Sequence, residues 1–318
     1  MGRFNQGSLV VSSSPHIMDN VNTTRIMLDV LIALIPAFIM SGFIFGPRAL
    51  LLTITCIAAC VVFEAGFQYL IKKDSTITDL SAVLTGTLLG FNLPSSLPFW
   101  MAVVGSFVAI VVVKQIFGGI GQNFANPAIT ARIVLLVSFA TPMTTWPLPN
   151  QLLGTVDAVT GATPLGILNM GTDLAALPSN MDLFLGYVGG SLGETSAIAL
   201  LLGGIYLIWR KVIEPSIPLA FIGTVFIFAL LTGQDPIFHI FAGGVMLGAF
   251  FMATDYVTSP RLTSGKIIFG IGCGLLTMVI RLYGSYPEGV SFAILLMNIL
   301  TPQIDMLLRR RTYGGVKI

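Results

Sequence analysis

Charge is what this chain most lacks. Only 9% of its 318 residues are Asp, Glu, Lys or Arg, against 55% hydrophobic. A soluble domain carries about 25% charged residues to keep its surface hydrated. A water-soluble enzyme is therefore excluded, as are a disordered chain and a collagen, and the mean hydropathy of +0.90 agrees. A net charge of +2 leaves no electrostatic footprint for nucleic acid. Cysteine is scarce too: Cys56, Cys60 and Cys273 form no C-x-x-C pair and are too few for a disulfide scaffold. Cys56 and Cys60 share a helix face, but two thiols alone complete no iron–sulfur cluster, and they read as small buried hydrophobes. His16 and His239 stand alone with no metal-binding spacing, so no metal site is expected. No G-x-x-x-x-G-K-[ST] exists. Gly118-Gly119-Ile120-Gly121 fails as a dinucleotide loop, because Phe124 occupies the third glycine position and no strand precedes it. The N-terminal stretch has neither an apolar core nor a cleavage site, so no signal peptide is expected. A polytopic membrane protein is left. Channel, transporter and redox protein all stay open at this point.

What is present is a series of apolar runs. A helix needs about 20 residues to cross a hydrocarbon core of ~30 Å. The runs predict helices over 26–45, 48–71, 79–93, 98–117, 127–141, 194–210, 215–232, 236–253, 265–282 and 288–307. Ten spans put both termini on one side. Basic residues mark the cytoplasmic side of a membrane protein. With the termini inside, all of the 16 Lys and Arg residues, Lys114 and Arg132 among them, fall inside except Arg48 and Arg281. The expected organisation is a cytoplasmic N-terminal segment (1–25), a five-helix half (26–141), an outer loop (142–193), a second five-helix half (194–307) and a basic cytoplasmic tail (308–318). The 142–193 loop holds Asp157, Asp173 and Asp182 but no Lys or Arg. Connections of that length are usually functional.

The halves resemble each other. Lys114-Gln-Ile-Phe-Gly-Gly parallels Arg281-Leu-Tyr-Gly-Ser, each closing a helix before a short loop. An odd number of helices per half inverts the second relative to the first. The third helix of each half is short or Gly-rich, ending in FNLPSSLP or running AGGVMLGAFFMATDYVTSP. Broken helices at matching positions point to a site at the membrane midplane, although glycine also serves close packing. The predicted fold is thus all-α and polytopic, two inverted five-helix repeats with broken or short helices.

Asn126-Pro127, Asp235-Pro236 and Glu214-Pro215 read as helix starts, an acceptor side chain capping free N–H groups before a proline. Acids within spans carry more weight, since charge in lipid is costly. Asp29 lies four residues past Arg25, which predicts a pair on one face. Asp79, Asp255 and Asp305 fall near inner ends, within reach of water. Glu64 lies deep in the second helix with no basic residue at helical spacing. It is the candidate ion-path carboxylate, or else the partner of another helix.

Asp157-Ala-Val-Thr160-Gly161-Ala162-Thr163-Pro164 is the most informative stretch. Its small residues let a bulky group approach the backbone, and Thr163 offers a hydroxyl. No His or Lys nearby would serve as its base, so a self-contained hydrolase is disfavoured. A threonine modified by another enzyme needs only exposure and a recognisable loop.

This stretch resembles the flavinylation motif D-x-x-[ST]-G-A-[TS], whose last hydroxyl carries FMN through a phosphoester bond. SSSPH, KQIFGGIGQNFANPA, GSLGETS, MLGAFFMATDYVTSP and YPEGVSFAILLMN match the same family in order along nearly the whole chain. It is similar to the D subunit of the Rnf ion-translocating ferredoxin:NAD oxidoreductases, and to its relative, the B subunit of the sodium-pumping NADH:quinone reductases. The short stretch before the first helix favours the former. The resemblance implies covalent FMN on Thr163, with Asp157, Thr160, Gly161 and Ala162 as the motif around it. It implies a flavin transferase that attaches FMN from FAD, and a noncovalent riboflavin to which no residue here is matched. Implied partners are other Rnf subunits, especially the FMN-bearing G subunit and the A and E membrane subunits, together with Na⁺ or H⁺. The implied location is a bacterial or archaeal cell membrane. Gly189, Gly190, Gly193 and Glu194 are expected to border the FMN, because they end the same loop. A channel or transporter without redox chemistry is the alternative.

Overall fold

The computed structural model describes residues 22–73, 76–149, 160–170, 177–284 and 288–308. Four of its helices are long and apolar enough to cross a membrane: α1 (Thr23–Phe45), α2 (Pro47–Ile71), α13 (Thr263–Tyr283) and α14 (Val290–Leu308). Five more are apolar but shorter: α3 (Ser81–Phe91), α4 (Phe99–Phe107) with the π-helical run that continues it to Gln115, α5 (Pro127–Ser138), α9 (Ala197–Trp209) and α10 (Ser216–Leu231). At 1.5 Å per residue α2 reaches ~37 Å and α3 only ~16 Å. A helix of α3's length ends inside a ~30 Å core. Short elements complete the described chain: α6 (Ala140–Thr144), α7 (Pro164–Met170), α8 (Asn180–Leu185), α11 (Pro236–Phe241) and α12 (Val245–Leu247). Among the described residues the one strand pairing is a two-residue antiparallel pair, β1 (Trp146–Pro147) with β2 (Thr160–Gly161).

Apolar side chains face outward, as lipid permits. On α2, Leu51, Ile54 and Val62 are exposed while Leu52, Cys56 and Cys60 are buried. The inward faces are small, so helices close to backbone contact. A Cβ on Gly86 of α3 would lie 2.6 Å from the Ile57 Cα of α2, and one on Gly270 of α13 would lie 2.9 Å from the Ile217 carbonyl of α10. Both are glycine-seated helix pairs, and α9 seats on α1 in the same way, a Cβ on Gly203 falling 2.2 Å from the Ala33 carbonyl.

Two expected helices are not regular. The 98–117 run is α-helical only to Phe107 and continues as a π-helix over Val108–Gln115. The 236–253 run breaks after α11 at Gly243, whose φ of +64° ends the helix, and resumes as α12 and a π-helical turn, Gly248–Met252. The 127–141 helix stops at Ser138, before α6. The helix expected from 194 starts at Ala197, and the residues before it are buried rather than exposed in a loop. There Gly193 N–H donates to the Phe91 carbonyl (2.9 Å) and Leu192 N–H to the Leu93 carbonyl (3.1 Å). The GSLGETS segment therefore seats on the end of α3. The partner ends also meet at the centre, where Asn92 after α3 donates to the Met252 sulfur (3.8 Å) and Asn126 before α5 to the Met252 carbonyl (3.3 Å).

Sequence expectations for several ionic groups are corrected. Asp29 pairs with Arg210 of α9 (3.1 Å) and accepts from Tyr206 (3.2 Å), not with Arg25, because its helix face is turned onto α9. Glu214 caps nothing and instead pairs with Lys266 (2.9 Å). Asn126 and Asp235 do cap, on Ala128 N–H (3.0 Å) and Ile237 N–H (2.9 Å). Lys114 and Arg132 are buried ion-pair partners rather than solvated loop charges.

Candidate functional site

Thr163 lies two residues past β2 and caps α7. Its Oγ1 accepts from Gly166 N–H (3.1 Å) and its carbonyl from Ile167 N–H (2.9 Å), with Pro164 in the first helical position. A Thr-Pro start is well suited to this, since proline has no N–H to leave orphaned. The expectation of an exposed hydroxyl is not met: Thr163 is 7% exposed and faces a cavity. That cavity of about 270 Å³ is walled by Ala162, Thr163 and Gly166 on the β2–α7 side, by Ile133, Leu136, Met143 and Trp146, and by Phe292 of α14. Its polar floor is Arg132 with Glu288.

Arg132 organises the floor. Its Nη1 donates to Glu194 Oε1 (2.6 Å) and to Asn92 Oδ1 (2.7 Å), and its Nη2 donates to Glu288. Four segments meet on this guanidinium: α5, the end of α3, the start of α9 and the start of α14. Glu194 is 5% exposed and Glu288 21%. Beside them Arg281 of α13, also buried, donates to the His239 and Ala242 carbonyls (2.6 and 2.7 Å), which the break after α11 leaves free. An unpaired carbonyl in the interior is costly, so a cation there stabilises the broken helix.

A smaller cavity of about 20 Å³ adjoins on the other side of Thr163 and is bordered by Gly189, Gly190, Glu194, Gly243 and Glu288. Gly189, Gly190 and Glu194 are thus brought to Thr163. Gly193 is not: it lies under Phe91, where a Cβ would come within 2.3 Å of the ring. Gly161 pairs with Trp146 and Thr160 with Pro147 through the backbone, and Ala162 lines the larger cavity. Asp157 lies outside the described residues.

Glu64 belongs to a different site. Arg48, at the start of α2, donates to the Ser95 and Ser96 carbonyls, and Ser96 reaches Thr145 beside β1. Glu64 lies ~24 Å further along α2 at 1.5 Å per residue. It is 1% exposed and bonded to Lys114 Nζ (2.8 and 3.0 Å), Gln115 Nε2 (3.0 Å), Gln68 Nε2 (3.3 Å) and Thr76 Oγ1 (3.3 Å). Lys114 also donates to Ser81 Oγ (2.6 Å). The partner on another helix, one of the two sequence readings of Glu64, is therefore present. Lys114 and Ser81 in turn border a cavity of about 120 Å³ that includes Asn126 and Asp255.

Sequence reasoning misses the roles of Arg132, Glu288 and Asn92. In the sequence Arg132 counts among the charges that set orientation, and Glu288 among the residues opening the last helix. The signal available is an arginine one turn inside an apolar helix, where an unpaired cation is expensive and demands a carboxylate.

Fold and site together define a polytopic, helical membrane protein with broken helices and a hydroxyl-bearing cavity over a buried ion-pair network. The sequence profile of the NQR2, RnfD, RnfE family matches residues 10–314. The chain is 52% identical, over 99% of its length and 98% of the relative's, to the D subunit of the Na⁺-translocating ferredoxin:NAD⁺ oxidoreductase complex of Acetobacterium woodii. It is 47% identical to the D subunit of the proton-translocating ferredoxin:NAD⁺ oxidoreductase complex of Clostridium ljungdahlii, over 96% of both chains. Identity to the D subunit of the ion-translocating oxidoreductase complex of Stutzerimonas stutzeri is 43%, over 91% of this chain and 92% of that one. The chain belongs to the NQR2, RnfD, RnfE family.

Proposed function

We propose that this chain is the D subunit of an ion-translocating ferredoxin:NAD⁺ oxidoreductase complex, a membrane electron carrier bearing FMN on Thr163 through a phosphoester bond. The single observation that supports this best is that Thr163, the last residue of the matched motif, puts its hydroxyl on the wall of the large cavity. The residues fit the group. Apolar and aromatic walls suit a flavin ring, the small Ala162 and Gly166 leave space for it, and the volume is close to the lower end for ligand pockets, ~300 Å³. A bound flavin would supply the redox chemistry, while the protein sets its place and environment. Thr163 and its loop tether it, Trp146, Met143 and Phe292 exclude water, and Arg132 supplies positive charge from below. Because Thr163 is buried as a helix cap, loading by a flavin transferase requires this loop to open first.

In this reading the chain has ten spans in two inverted repeats, with both termini cytoplasmic and the Thr163 loop on the outer side of a bacterial or archaeal cell membrane. FMN held by Thr163 would supply one-electron carriage, and the partners in this reading are other Rnf subunits, especially the FMN-bearing G subunit and the A and E membrane subunits. Glu64 contributes to the path of Na⁺ or H⁺, both of which occur in the names of relatives. The second reading, the B subunit of a sodium-pumping quinone reductase, differs in electron acceptor and is tested by assaying the assembled complex with ferredoxin and with quinone.

The chemical test is direct. Co-expressed with the transferase, the chain gives a fluorescent flavin band that survives a denaturing gel. Thr163→Ala abolishes the band with expression intact, and Thr163→Ser keeps it. A persistent band in Thr163→Ala moves the bond elsewhere, and no band in the native chain rejects the covalent flavin.

A further inference from the structure

The floor of the Thr163 cavity has two carboxylates on one guanidinium, and the two are not equivalent. Glu194 lies at 2.6 Å from Arg132 and is 5% exposed; a Cβ on Gly244 would fall 2.5 Å from its Oε1, so backbone closes over it. Glu288 holds the other side of Arg132, is 21% exposed, and borders both cavities beside Thr163. We propose that Glu288 is the proton-exchanging group of this site: its carboxylate takes up one proton as a flavin held at Thr163 gains one electron, and releases it when that electron leaves. This rests on the reading that Thr163 carries the flavin.

Among the described residues, the surrounding charges favour Glu288 over the other groups at this site. From α5, Arg132 stays charged between two acids. From α13, Arg281 has its two Nη groups committed to the carbonyls of His239 and Ala242. From α11, His239 is buried with no hydrogen-bond partner for either ring nitrogen, and its side chain borders neither cavity. Described α7 and α14 residues on the cavity wall carry no titratable group. An extra negative charge in a low-dielectric cavity raises the proton affinity of the nearest carboxylate. Glu194 and Glu288 share Arg132, and Glu288 is the more exposed of the two and the one that lines the large cavity, so it is the carboxylate that water reaches.

The balance is simple. The electron arrives from the preceding carrier of the complex, and the proton comes from water at the open side of the cavity and forms the O–H bond on a Glu288 oxygen. The cavity gains one electron and one proton, so its net charge is unchanged. Glu194 and Arg132 keep their pairing, and Asn92 holds the Nη1 side of Arg132 in place throughout.

The experiment uses the full chain, loaded by the transferase and purified in detergent. The denaturing-gel band is read first, and its absence from the native chain refutes the Thr163 reading rather than the role of Glu288. In loaded protein, the flavin midpoint potential is titrated from acid to alkaline pH. The native chain is expected to show a potential that falls with pH by one proton per electron, Glu288→Asp to retain that slope, and Glu288→Gln to lose it. An unchanged slope in Glu288→Gln overturns the proposal, because the flavin itself then takes the proton. Infrared redox difference spectra of the native chain provide the check that needs no variant. A protonated-carboxyl carbonyl band, sensitive to D₂O, is expected on reduction; its absence overturns the proposal even if Glu288→Gln does not accumulate.

Discussion

Arg132 is the residue on which most of the site depends. It is a buried cation bonded to two acids and an amide. Removing one member of a buried ion pair leaves an uncompensated charge and costs about 3–5 kcal/mol, whereas replacing both by apolar groups is often neutral. Arg132→Ala is therefore expected to lower thermal stability in detergent by that amount, and Arg132→Lys to recover only part of it. A lysine cannot span Glu194, Glu288 and Asn92 with one planar fork. The Glu64–Lys114 pair behaves the same way at the other end. Glu64→Gln alone strands Lys114 and is expected to destabilise, while Glu64→Leu with Lys114→Met is expected to restore the melting temperature. Stability and transport then separate: if Glu64→Gln, once stabilised by lipid, leaves ions moved per electron unchanged, Glu64 is a strut and not part of the ion path.

At the scale of the helix, packing is set by glycines whose missing Cβ is filled by a neighbour. Gly86 of α3 faces the α2 backbone at 2.6 Å, whereas Gly66 of α2 has nothing within 4 Å. Gly86→Ala is expected to cost about 1–3 kcal/mol by overpacking. Gly66→Ala is expected to be neutral or stabilising, by up to ~1 kcal/mol of helix propensity. Equal melting temperatures for the two variants would show that α3 is not seated on α2. The α8–α11 contact adds a pH dependence. Asp235 accepts from Asn180 Nδ2 (2.8 Å) and caps α11, and these bonds, the Asn180 one first, hold its carboxyl below the usual range. A lowered folded value means stability present above the unfolded pKa and lost as pH falls through the folded one. Native protein should thus lose melting temperature below about pH 4 more than Asp235→Ala does. Each of the ten apolar runs holds helix, because apolar length is a local property, though the 236–253 run is broken and others are shorter than expected. The breaks are less legible. Gly243-Gly244 is visible in sequence, but only Glu194 over Gly244 and Arg281 at the freed carbonyls show why the helix must open there. The motif around Thr163 is legible residue by residue; its floor is not, since Arg132, Asn92, Glu194 and Glu288 are joined only by tertiary contact.

At the scale of the whole molecule, the positive-inside argument needs its charges re-sorted. Lys114 and Arg132 are consumed in buried pairs, so they say nothing about loops. The charges that still carry orientation are solvent-facing ones such as Lys72, Lys73, Arg210 and Lys211, which lie at the ends of α2 and α9. These two ends share one side in the ten-span arrangement, and the Thr163 loop lies on the other. Orientation is measured by thiol accessibility, for which this chain is well suited: Cys56, Cys60 and Cys273 are free and each 0% exposed, so they give little background. Lys73→Cys and Tyr187→Cys place single reactive thiols at exposed positions, Lys73 after α2 and Tyr187, 53% exposed, just past α8. A membrane-impermeant maleimide applied to intact cells is expected to label Tyr187→Cys and not Lys73→Cys, with Lys73→Cys labelled only after permeabilisation. Labelling of both thiols from outside would place the two ends on one side, which no ten-span path allows, and would remove the basis for a Thr163 loop facing outward. The reverse pattern would turn the Thr163 cavity to the cytoplasm, so that a flavin bound there would need no electron transfer across the membrane to be reduced from ferredoxin.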